Sequence, residues 1–159
     1  MKKAFTIVEL MLYMAMFSVL VTILGGIFLN IMELQLSTQS NSEVTQSINY
    51  VFARLSHDIY STSSIITPAS AGQSGPALTI VINGQNNTYS LSGNNLILTN
   101  PNGIFELNSP DVSVTGFSVT RLGTVGKSNV HIGITVQSNV TPLSKSPQIV
   151  SYSQSFTLK

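Results

Sequence analysis

A chain of 159 residues in which only 8% are charged, against about a quarter in ordinary soluble domains, holds at most one modest domain beyond any membrane segment. A formal charge of +1 supplies no basic patch to displace counterions from a phosphate backbone, so nothing in it points to nucleic-acid binding. The absence of cysteine excludes disulfides and thiolate metal ligands.

The chain opens with Met1-Lys2-Lys3-Ala4-Phe5-Thr6-Ile7-Val8-Glu9-Leu10 and then runs apolar to Met32. Leu10 to Met32 is 23 residues without a charge. As a helix that run is about 35 Å long, enough to cross a bilayer core. Lys2 and Lys3 precede it, and the positive-inside rule keeps the N-terminus in the cytoplasm and sends the remainder out. An ordinary secretory signal has a shorter apolar region of about 7–15 residues and a small-x-small cleavage site, and residues 27–32 offer none. An uncut signal anchor is the alternative for this region. Glu9 is the odd residue. It is either solvated at headgroup level or held at the membrane edge for a function. It lies one helical turn after Phe5. A cut between Ala4 and Phe5 would place a free amine near that carboxylate, in the same chain or in a neighbour.

The run from Lys2 to Leu10 resembles the leader and mature start of type IV prepilins and pseudopilins. That family has a short basic leader, a small residue before the cut, a Phe, a Thr/Leu-Ile/Val-Glu-Leu run and a long apolar helix. The likeness covers about the first third of the chain. It implies a leader over residues 1–4, cleavage by a prepilin peptidase between Ala4 and Phe5, N-methylation of Phe5, and an assembly role for Glu9 opposite a neighbour's N-terminus. Two positions depart from the pattern. Ala4 stands where Gly is usual, and Gly25-Gly26 stands near the place where major pilins often carry a helix-breaking Pro. The glycines either weaken the helix, by roughly 1 kcal/mol each relative to Ala, or allow close helix packing. Without Lys2 and Lys3 the chain holds five basic and six acidic residues, a formal charge of −1.

Residues 33–60 continue as helix. Val44, Ile48, Val51, Phe52, Leu55 and Ile59 recur at three- and four-residue spacing, a stripe of period 3.6 that packs on the C-terminal part of the chain. Arg54 and Asp58, at i and i+4, are set to pair across one turn, worth a few tenths of a kcal/mol if exposed. Residues 61–76, rich in Ser with Pro68, Gly72, Gly75 and Pro76, read as a connector in which Ile65 and Ile66 are candidate core anchors.

From Ala77 the apolar period changes to two. Strands are expected at 78–82, 88–91, 96–99, 104–107, 112–122, 130–136 and 149–158. Turns fall at Asn83 to Asn87, Ser92 to Asn95, Asn100 to Gly103 and Asn108 to Asp111. Gly116 marks a bulge, and Tyr152, Phe156 and Leu158 share one face of the last strand. The expected fold is α+β. A long N-terminal helix, membrane half (5–32) plus amphipathic half (33–60), packs on a mostly antiparallel β-sheet head over residues 77–159.

Arg54, Asp58-Ile59, Tyr89-Ser90-Leu91, Leu96 and Phe117-Ser118-Val119 in this order also resemble, more loosely, the J-type minor pseudopilin of type II secretion. That likeness implies a minor subunit near the tip of a filament.

Enzyme signatures are missing: no Gly-x-Ser-x-Gly elbow, P-loop, dinucleotide fingerprint or His-Glu-x-x-His. A His/Asp/Ser triad can be written in any Ser-rich chain, so His57 and His131 carry no weight as catalysts. The Asn-rich turn at 83–87 has no carboxylate and reads as turn chemistry, not a cation site. The expectation is a structural, non-enzymatic subunit without catalytic residue, metal or cofactor. The resemblance implies its partners: other pilins or pseudopilins, the prepilin peptidase, an inner-membrane assembly platform and membrane lipid. It also implies its place: a single-pass cytoplasmic-membrane protein with its head outside, then a periplasmic or extracellular filament. The rivals are a signal-anchored extracytoplasmic binding protein with an uncut N-terminus and an exported enzyme.

Overall fold

The computed structural model describes residues 6–123, 129–141 and 146–158. A continuous helix, α1 (Ile7–Tyr60), holds 54 residues and is about 80 Å long. No proline interrupts residues 7–60, and the helix runs through Gly25-Gly26 unbroken. The hydroxyls of Thr22, Thr38 and Thr45 turn back to the carbonyls of Ser18, Leu34 and Asn41, so they are satisfied without leaving the helix. At its end the Ser61 backbone N–H and hydroxyl both donate to the His57 carbonyl.

Among the described residues nine strands come after the helix: β1 (Ser64–Thr67), β2 (Ser74–Gly75), β3 (Ala77–Ile82), β4 (Gln85–Ser92), β5 (Asn95–Asn100), β6 (Gly103–Glu106), β7 (Val112–Leu122), β8 (Asn129–Ser138) and β9 (Ile149–Thr157). They form two antiparallel sheets, β1-β3-β4-β5-β6 and β2-β7-β8-β9. The fold is α+β, a long apolar helix packed on antiparallel sheet. Two points correct the reading from sequence. The strands divide between two sheets, and the stretch 61–76 is more than a connector. Its Ile65 pairs with Ile80 in the first sheet, and Ser74-Gly75 pairs with Thr120 and Val119 in the second. Pro68, Gly72 and Pro76 mask these short strands as breakers. Ile65 is buried, while Ile66, on the opposite side of the strand, is exposed.

Three tight turns build the first sheet. Asn83 and Gly84, both at positive φ (52° and 78°), link β3 to β4 in the geometry that matches strand twist. Ile82 therefore pairs with Gln85, and Gln85 to Asn87 belong to the strand rather than to a longer turn. Gly93-Asn94 and Pro101-Asn102 make the next two connections. In the second sheet β7 and β8 pair along their length, with a register shift between Val114 and Gly116 at the expected bulge.

One core joins all layers. The helix contributes Val44, Ile48, Val51, Leu55 and Ile59, the expected stripe, with Phe52 half-buried against Phe156 of β9. The sheets contribute Leu78, Ile80, Tyr89, Leu96 and Leu98 from the first, and Val112, Val114, Val119, Val130, Ile132, Ile134 and Val136 from the second. Of the expected face of β9, Phe156 is buried while Tyr152 and Leu158 are only half covered.

Candidate functional site: the uncovered helix and the Asp58 cluster

The helix divides into two halves of opposite environment. From Ile7 to Met32 every residue is exposed, and burial begins in earnest at Ser40. Leucines, isoleucines, valines, methionines and phenylalanines make up most of the bare half. An apolar surface of that extent is stable only in lipid or against another apolar surface. The chain thus carries one long apolar helix near its N-terminus, a candidate membrane anchor or signal sequence.

Glu9 sits in the first turn of α1. Thr6 caps the helix, its hydroxyl accepting from the Glu9 N–H at 3.2 Å. A carboxylate in the first turn meets the positive end of the helix dipole, which lowers the cost of holding it beside an apolar segment. Ala4 and Phe5, the expected processing and methylation site, lie outside the described residues.

At the other end of the helix lies a polar cluster that the sequence only half reveals. Arg54 Nε donates to Asp58 Oδ2 at 3.2 Å, the expected i,i+4 pair. Asp58 is not at the surface, however; it is 3% exposed. Its carboxylate also accepts a hydrogen bond from the Tyr89 hydroxyl of β4 and lies 3.1 Å from His57 Nδ1. Burial pushes the Tyr89 phenol pKa above its ordinary value, and the hydrogen bond to Asp58 pushes it the same way. Burial pulls the Arg54 guanidinium down, but the Asp58 charge, together with the contacts to Tyr89 and the hydrogen bond to Asp58, outweighs it and leaves the group raised. The cluster ties the last turns of α1 to the middle of the first sheet. From sequence Tyr89 is a strand residue with no assigned partner. The signal that points to Asp58 is a tyrosine at a core-facing strand position, whose hydroxyl must find an acceptor when buried.

The two histidines are far from any shared chemistry. His57 belongs to the Asp58 cluster with its ring mostly in solvent. His131, on the outer face of β8, has its Nδ1 2.9 Å from the Ser155 hydroxyl. Among the described residues no three side chains of the His, Asp, Glu or Cys type gather at one point.

The chain matches no family model, no curated protein and no solved structure. The features that bear on function are therefore the two halves of α1 and the head they carry.

Proposed function

We propose that this chain is a structural subunit of the type IV pilin and pseudopilin kind, a minor pilin or pseudopilin that acts by assembly. In this reading a prepilin peptidase cuts between Ala4 and Phe5 and methylates the Phe5 amine. The bare half of α1 stores the subunit in the cytoplasmic membrane with its head outside. Extraction at an assembly platform exchanges lipid for the helices of neighbouring subunits. Glu9 then lies opposite a neighbour's Phe5 amine, and the pair sets the register of packing in a water-poor environment. The filament is of the type IV pilus, competence or type II secretion kind, with this subunit near its tip.

The observation that carries the proposal is the division of one unbroken helix. Its C-terminal half supplies the central stripe of the head core, and its N-terminal half has no cover within the described chain. A rigid apolar rod joined without a hinge to a β head suits lateral packing of many copies around a common axis. The leader-like run from Lys2 to Leu10 and the carboxylate at Glu9 support the same reading. An uncut signal-anchored binding protein is the second reading, favoured by Ala4 in place of Gly.

The first test is the mass and N-terminal sequence of the protein recovered from membranes of a cell that has a prepilin peptidase. A chain starting at methylated Phe5 is the expected result. A chain starting at Met1 supports the signal anchor, and a start beyond residue 25 removes the filament reading. Ala4→Asp should block processing and leave membrane insertion intact. Its appearance in filaments would refute the proposal. Glu9→Gln should be inserted and processed but fail to enter filaments.

A further inference from the structure

A groove opens between α1 and β6. Two adjoining hollows of about 450 and 290 Å³ make it up, sharing Tyr50, Glu106 and Leu107. Its lining joins the buried Leu98 and Leu107 to two aromatic side chains left in solvent, Tyr50 at 58% and Phe105 at 47% exposure. The apolar core therefore continues to the surface here. Aromatic side chains beside such a window are the groups that anchor protein interfaces.

The same groove runs along a sheet edge. β6 pairs with β5 on one side and with no strand on the other among the described residues. A row of backbone N–H and C=O groups at an edge is matched by one kind of ligand, another extended chain. Of the other edge strands among the described residues, β2 is two residues long, β1 carries a register shift and β9 is nine residues long, and none of the three lines this groove.

Charge narrows the occupant further. Glu43 from the helix and Glu106 from the strand line the groove, and neither has an ion-pair partner among the described residues. Arg54 also lines it, but its guanidinium is engaged by Asp58. In a chain with only six acidic residues, two uncompensated carboxylates on facing elements leave the groove net negative and complementary to cations.

We propose that the groove between α1 and β6 receives an extended, lysine- or arginine-bearing segment of a partner polypeptide, which adds as a strand to the free edge of β6. Side chains alternate across a strand, so the segment alternates apolar and basic residues. The apolar ones cover Tyr50, Phe105 and Leu98, and the basic ones meet Glu43 and Glu106. The docking uses nothing before Glu43 and is independent of how the membrane half assembles, so either proposal can fail without the other.

The test titrates the full chain, in micelles of an uncharged detergent, with the peptide acetyl-Lys-Val-Lys-Val-Lys-Val-amide. Two controls accompany it: the same peptide with Ser for Lys, and the lysine peptide N-methylated at alternate amides. Only the unmodified lysine peptide is expected to bind, and it should slow amide exchange across Gly103–Glu106. The double variant Glu43→Gln/Glu106→Gln should bind it about tenfold more weakly. Phe105→Ala, at an exposed position that leaves the core intact, should weaken it as well. No binding by the lysine peptide, equal binding by either control, or undiminished binding by the double variant overturns the proposal.

Discussion

Asp58 shows how a single side chain changes meaning with its surroundings. At the surface, its i,i+4 pairing with Arg54 is worth a few tenths of a kcal/mol. Buried at 3% exposure, it must be satisfied by donors, and Arg54, Tyr89 and His57 surround it. Tyr89→Phe keeps the ring volume and removes one donor from a buried carboxylate. A loss of about 1–3 kcal/mol in unfolding free energy is expected, read by denaturant titration. The same contact sets a pH dependence at the alkaline side. The folded state favours the neutral phenol, so the folded chain keeps its proton where the unfolded chain has lost it. Stability from this group is full below pH of about 10 and falls as the pH rises beyond that. Tyrosinate absorbance should show a late step that is absent in Tyr89→Phe. The pairing of Arg54 with Asp58 is legible in the sequence, because four residues make about one turn. The contact with Tyr89 is not, because it joins residues 31 apart across two elements.

On the scale of elements, α1 is one helix with two kinds of surface. Its backbone is the same throughout; what differs is which face has a partner. The stripe from Val44 to Ile59 meets β7, β8 and β9, and Leu55 is fully buried in it. Leu55→Ala leaves a void between helix and sheet and should cost about 2–5 kcal/mol, measured by thermal or denaturant unfolding of the head. Leu20→Ala, in the bare half, should leave the unfolding of the head unchanged, since Leu20 touches none of that core. The period of 3.6 exposes this division in advance: apolar residues on every side before Met32, and on one side after Val44. The short strands β1 and β2 are hidden, because two to four residues among prolines and glycines leave no period to read. Their pairing is fixed by the longer strands β3 and β7 beside them.

For the whole molecule, the apolar rod and the head are separable in their demands on solvent. The core draws on no residue before Val44. Removal of residues 1–32 should therefore yield a soluble head with its unfolding transition retained. The full chain should stay with the membrane fraction after high-salt and alkaline washing. A truncated chain that remains insoluble, or a full chain released by those washes, would contradict this division. The groove beside β6 belongs to the same scale, since it exists only where helix and sheet edge face each other.

The long helix, its apolar half, the docking stripe and most strand positions are legible in the amino-acid sequence. Each comes from a local rule: absence of charge over a membrane's length, apolar spacing of 3.6 or two, and turn residues such as Asn83-Gly84 that admit positive φ. The resemblance of residues 2–10 to a prepilin start rests on local order too. Tertiary structure alone decided that there are two sheets rather than one, that Asp58 is buried against Tyr89, and that Glu43 and Glu106 face a common groove. These depend on which segments meet after the chain has closed loops of tens of residues. No periodicity within one segment encodes the identity of its partner.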